Sequence, residues 1–172
     1  MNIYPRKNFI PQALPLPYRQ TLPIPLQNIA QSWNTNWSKS TIPLTELQPV
    51  KRRDEIPSID IPTFETINEA KNWLHPQEPV MVVEINGAAR AYSLQLLIWH
   101  EIVNDVINSV PIAVTYCPLC NSAFVFSRWF NNGLLEFGTT GLLRNSNLVM
   151  YDRTTESLWQ QFTGVSIARR IC

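Results

Sequence analysis

Three cysteines and two histidines are all that 172 residues supply of the side chains most often used for metal and thiol chemistry. Once Cys117 and Cys120 are paired, only Cys172 remains, so a four-cysteine zinc site cannot be built within this chain. The phosphate-binding G-x-x-x-x-G-K-[ST] pattern and the dinucleotide-binding G-x-G-x-x-G pattern are both missing. An excess of one charge is missing too. The balance of 14 basic and 13 acidic residues gives a net charge of +1, without the basic surplus that draws a protein to nucleic acid. The short basic run Lys51-Arg52-Arg53 is answered at once by Asp54-Glu55, which predicts a solvated linker. No stretch reaches the roughly 18–20 apolar residues of a membrane span. Prolines also break each apolar run near the N-terminus, where an export signal would lie. The chain as written is therefore expected to be cytoplasmic, with no nucleic-acid partner and no transmembrane segment.

Proline is abundant but unevenly placed: 12 of 14 fall at or before position 79. Residues 1–53 are accordingly expected to form an extended arm, with polyproline-like backbone at Pro11–Pro17 and Leu22–Leu26. The leucines and isoleucines there suit docking in a groove, on this chain or on a protein partner. A single α+β domain is expected over residues 54–172, mainly antiparallel β with one substantial amphipathic helix. Thr66 is the expected N-cap of a short helix to Leu74. Val80–Ile85 and Ala88–Tyr92 read as strands joined by Asn86-Gly87, the strongest short hairpin signal. Val110–Tyr116 and Ala123–Phe130 read as two more. Asn132-Gly133 should return the chain into Leu134–Phe137, and Leu148–Tyr151 is a further strand. The substantial helix is expected at about 93–107, with Ile98, Trp99, Ile102, Val103 and Val106 in its buried arc.

Cys117-Pro118-Leu119-Cys120 carries the most chemistry. It falls in a tight turn between two strands, and no helix follows Cys120 to lower a thiol pKa in the thioredoxin manner. Two thiols in such a turn can ligate a metal, form or exchange a disulfide, or simply pack. His100, at the border of the expected helix, is the candidate third group. Met150 and Asp152 share one face of their strand and are candidate further ligands, the thioether favouring copper and the carboxylate zinc or iron. A weaker reading makes Cys117 a hydrolase nucleophile with His100 as its base. His75 lies in a loop and is expected at the surface. Gly138-Thr-Thr-Gly141 with Arg144–Asn147 reads as turn chemistry, with an anion-binding nest as the alternative.

The motifs Ile56-Pro-Ser-Ile-Asp60, Trp99–Asp105, Val114–Cys120, Gly141–Ser146 and Leu148–Gln161 together resemble the bacterial and archaeal family known as domain of unknown function 3179. The resemblance covers about residues 56–164. It implies that His100, Cys117 and Cys120 belong to recurring motifs, and it names no reaction. Similar chains usually continue beyond this point and often carry an export signal, so the resemblance implies a C-terminally truncated member. A periplasmic or extracellular location is then an alternative, and the truncated edge is a candidate site for a protein partner.

Overall fold

The computed structural model describes residues 22–131 and 133–169. In chain order these form helix α1 (Ile24–Ala30), strand β1 (Leu47–Pro49), helix α2 (Ile67–Ala70), strands β2 (Val80–Ile85) and β3 (Ala88–Ser93), and helix α3 (Leu94–His100). Nine strands follow: β4 (Ile102–Ile107), β5 (Val110–Cys117), β6 (Ser122–Ser127), β7 (Trp129–Phe130), β8 (Gly133–Leu134), β9 (Phe137–Arg144), β10 (Asn147–Asp152), β11 (Leu158–Gln160) and β12 (Val165–Ala168). The fold is α+β and mostly antiparallel β, as the sequence predicts.

Two sheets dominate, a five-stranded one in the order β1-β9-β10-β11-β12 and a three-stranded one in the order β4-β5-β6. Side chains alternate across a strand, and that period sorts the core into layers. Leu142, Val149 and Tyr151 face a cluster with Leu26, Trp33, Trp37 and Leu44 on one side of the large sheet. Leu148, Met150 and Trp159 face the other way, meeting Ile102, Ala113 and Cys117 of the small sheet. Ile112, Val114 and Tyr116 point to the far side of the small sheet, where Val83, Tyr92 and Leu97 of the β2–β3 hairpin and α3 cover them. Cys117 therefore lies in the layer between the two sheets.

The hairpin at Asn86-Gly87 forms in full register from Val80↔Ser93 to Ile85↔Ala88. Thr66 caps α2, with a reciprocal bond from its own N–H to Glu69 at 2.7 Å. That helix closes at Ala70, short of Leu74. The strand expected over Ala123–Phe130 divides: Ser122–Ser127 pairs with β5, while Trp129-Phe130 turns away to pair with Gly133-Leu134.

The helix expected over 93–107 is corrected. It starts where expected, with Ser93 as its N-cap, but ends at His100, and Glu101 takes φ 57. Ile102–Ile107 is a strand paired with β5 from Ile102↔Thr115 to Ile107↔Val110. Four of its six residues are β-branched, which suits a pleated surface better than a helix. Asn108 and Ser109 both take positive φ (48 and 65) and make the tight reversal. The apolar spacing fits the helical period and not strand alternation, and tertiary pairing with β5 overrode it in favour of the strand.

The N-terminal region is corrected as well. Leu22–Leu26 is not polyproline-like: Pro23 caps α1 and Pro25 sits in its first turn, where a missing N–H costs nothing. Among residues 22–49, Leu26, Trp33, Trp37, Ile42, Leu44 and Leu47 are buried against the large sheet. Strand β1 extends that sheet through Leu47↔Arg144. The Pro11–Pro17 segment lies outside the described residues. The basic run is no solvated linker either. The Arg53 guanidinium sits 4.4 Å from the centroids of both the Trp33 and Tyr151 rings and pairs with Glu156 at 3.1 Å. Gly141, at φ +74, lets this segment cross β9, since a Cβ there would lie 2.2 Å from the Lys51 carbonyl oxygen.

Candidate functional site

Cys117 ends β5 opposite Ser122, which begins β6, and the intervening Pro118–Cys120 makes one tight 3-10 turn closed by Asn121 at φ 46. The turn expected from the sequence is present, and both thiols are free. They are not equivalent. Cys117 is buried in the layer between the sheets, and its thiol points to the carbonyl of Ser146 at 3.5 Å. Cys120 is partly exposed, with its sulfur 3.0 Å from Ser122 Oγ and 3.4 Å from Asn147 Nδ2.

Both of those groups belong to a buried amide network. Gln161, fully buried, accepts from Asn147 Nδ2 at 2.6 Å and from Ser122 Oγ at 3.0 Å. Its own amide donates to Thr115 Oγ1 at 3.2 Å and to the Ser122 carbonyl at 3.1 Å. Asn147 Oδ1 accepts from Gln160 Nε2 at 2.7 Å and from the Phe162 N–H at 3.0 Å. Buried polar groups that are all paired hold one geometry. Ser122 is the adjustable member. With Cys120 protonated, the thiol donates to Ser122 and Ser122 to Gln161. With Cys120 ionised, the hydroxyl turns to the sulfur, and Gln161 Oε1 keeps its bond from Asn147. The site is satisfied in either protonation state.

The electrostatic consequence separates the two thiols. Burial pushes Cys117 up to about 11, reinforced by its contact with Cys120. Burial would also raise Cys120, but hydrogen bonds from Ser122, Asn147 and Cys117 outweigh it and hold that thiol below its ordinary value.

The other predicted site residues divide. His100 Nδ1 lies 2.8 Å from the Pro57 carbonyl, and among the described residues neither thiol is hydrogen-bonded to a histidine. Among the described residues no group of three or more His, Cys, Asp or Glu is placed to hold a metal ion. The donor set at the turn is two sulfurs without a third ligand of those types. Met150 and Asp152 do face one way, but to different ends. Met150 is buried in the same cluster as Cys117 and lines a cavity of about 150 Å³ with Phe126, Trp129, Phe130 and Trp159. Asp152, fully buried, accepts from the Thr155 N–H at 2.6 Å, Thr155 Oγ1 at 2.7 Å and Trp159 Nε1 at 3.0 Å, which occupies its carboxylate in its own turn. His75 is exposed, as expected. Gly138-Thr-Thr-Gly141 lies in β9, and Asn145 and Ser146, both at positive φ, make the β9–β10 turn.

A family model described as a protein of unknown function, DUF3179, matches residues 53–170. The chain belongs to that family. No curated protein and no solved structure shows significant similarity to it. Within this DUF3179 domain no described helix is long and apolar enough to cross a membrane. Two features of its site were not singled out from the sequence. Gln161 was visible only as part of a motif, and nothing local marks a glutamine as buried. Glu101, whose carbonyl accepts from the Tyr116 N–H at 2.8 Å beside Cys117, combines positive φ with a carboxyl that burial pushes up to about 7. Backbone strain and a perturbed acid together are what functional sites often show.

Proposed function

We propose that this domain carries out thiol–disulfide exchange, with Cys120 as the attacking thiolate and Cys117 as the resolving thiol. The observation that carries the reading is the asymmetry of the pair: a partly exposed cysteine whose sulfur is held by a hydroxyl and an amide, beside a buried one that shares its turn. Attack needs thiolate character and access, and Cys120 has both. In the first step the Cys120 thiolate bonds to one sulfur of a substrate disulfide, whose S–S bond breaks and releases one thiolate. Cys117, after losing its proton to solvent, then bonds to the Cys120 sulfur and expels the second thiolate. The protein dithiol loses two electrons and the substrate disulfide gains them. Ser122, Asn147 and Gln161 are positioning residues for the sulfur. A zinc, copper or iron site at the same turn would need ligands from outside the described residues.

Mass spectrometry after incubation with a low-molecular disulfide tests this. With Cys172 replaced by Ser throughout, Cys117→Ser should accumulate one mixed disulfide on Cys120, the protein with both turn cysteines should pass on to the internal disulfide, and Cys120→Ser should do neither. Protein purified without chelator should carry no stoichiometric metal. A metal content of one that either serine variant abolishes would replace exchange by a thiolate metal site. Identical behaviour of all three proteins, metal-free, would leave the turn as a packed corner.

A further inference from the structure

We infer that the disulfide accepted by Cys120 carries uncharged, apolar substituents, recognised by Leu119, its chain neighbour, and by Phe162, whose backbone shares Asn147 with the sulfur. The inference rests on the exchange reading above and adds the substrate's chemistry. Leu119, the residue before Cys120, is 68% exposed, and Phe162 is 50% exposed. Both are large apolar side chains left in water, Leu119 adjoining Cys120 in the chain and Phe162 one hydrogen-bonded side chain away from its sulfur. The backbone of Phe162 is tied to the site, because its N–H donates to Asn147 Oδ1 while the same side chain's Nδ2 reaches Cys120 Sγ. Its ring is held as well, tilted against Phe124 with centroids 5.5 Å apart, and Phe124 stacks on Phe126 at 6.1 Å. The result is a fixed aromatic ledge, which loses little side-chain freedom when a substituent covers it.

Among the described residues no charged side chain is bonded to the Cys120 sulfur. The groups bonded to the Cys120 sulfur are a hydroxyl and an amide. The charged side chain nearest in the network is Arg144, reached only through Gln160, and its guanidinium is already paired with Glu46 at 2.7 Å. Among the described residues an anionic disulfide such as oxidised glutathione would find no cation bonded at the sulfur to offset its carboxylates. Covering the two exposed side chains favours an apolar substituent by on the order of tenfold.

The test compares second-order rates, with Cys172 replaced by Ser in every protein, for wild type, Leu119→Ser and Leu119→Ser/Phe162→Ser with two probes, dipyridyl disulfide and oxidised glutathione. Comparing variants within each probe cancels its intrinsic reactivity. The double variant should lose about tenfold with dipyridyl disulfide and keep its rate with oxidised glutathione, and the single variant should fall between. Both positions are well exposed, and an unchanged melting curve for Leu119→Ser secures at least one folded variant. If both probes react and the variants slow both equally, or slow neither, exchange stands and the apolar recognition is wrong. If neither probe modifies Cys120 in wild type, the exchange reading itself falls.

Discussion

Asn147 donates its side-chain amide to the sulfur of Cys120 at 3.4 Å across a separation of 27 residues. The contact joins the β9–β10 hairpin of the large sheet to the cysteine turn of the small one. It makes the acidity of one thiol a property of how two sheets pack.

That dependence can be measured at Ser122. Ser122→Ala removes the hydroxyl that turns to the ionised sulfur, so the alkylation rate of Cys120 with iodoacetamide should show a higher midpoint pH than in Cys117→Ser alone, used as the common background. The stability loss should stay near 1 kcal/mol, because Gln161 Oε1 keeps its bond from Asn147. An unmoved midpoint would remove Ser122 from the site.

Cys117 and Cys120 should titrate apart. Burial holds Cys117 at about 11, so formation of the internal disulfide from a trapped mixed disulfide should accelerate as pH rises from 7 to 10. Cys120, held below its ordinary value, should react at lower pH than Cys117. A resolving rate independent of pH over that range would contradict the assignment of Cys117.

Glu101 gives a pH test of stability. Its folded-state value of about 7 lies above the ordinary 4.5, so the folded protein binds the proton more tightly than the unfolded chain. Stability should then fall as pH rises from about 4.5 to about 7 and stay lowered above that window. Glu101→Gln removes the loss: chemical denaturation should find the variant more stable than wild type at pH 8 and little different at pH 4.

Residues 22–49 supply core to the large sheet, and Leu26 is fully buried there. Leu26→Ala should cost roughly 2–5 kcal/mol of global stability. An arm that docks without joining the folding unit would leave the main unfolding transition unmoved.

Gly141→Ala should lose roughly 2–4 kcal/mol. About 1–2 comes from the left-handed backbone, and the rest from a Cβ placed 2.2 Å from the Lys51 carbonyl. The same substitution at Gly87, whose surroundings are open, should cost only the backbone share, and thermal melts of the two variants side by side would show the difference.

The local elements were legible where one signal had no competitor. Asn86-Gly87 specified its hairpin because few sequences take two positive φ values in succession. The cysteine turn was legible because β-rich runs bound it on both sides. The 102–107 run was not, since Ile102, Val103, Val106 and Ile107 have helical spacing while their β-branched side chains suit a strand, and what decided was a partner strand eight residues further on. Leu22–Leu26 misled for a related reason: proline suits an extended backbone and a helix's first turn equally well.

By itself, then, the sequence determined the class of fold, the hairpins, the placing of Cys117 and Cys120 in one tight turn and the family, all of which depend on neighbours a few residues apart or on a string of motifs. Only the tertiary structure decided that one thiol is buried and the other held by hydrogen bonds, and that His100 turns to Pro57. Beyond the nearby Ser122, the group that reaches the sulfur, Asn147, and the one that orients it, Gln161, come from 27 and 41 positions beyond Cys120. No local rule connects them, because a hydrogen bond between sheets exists only once both sheets have formed and packed.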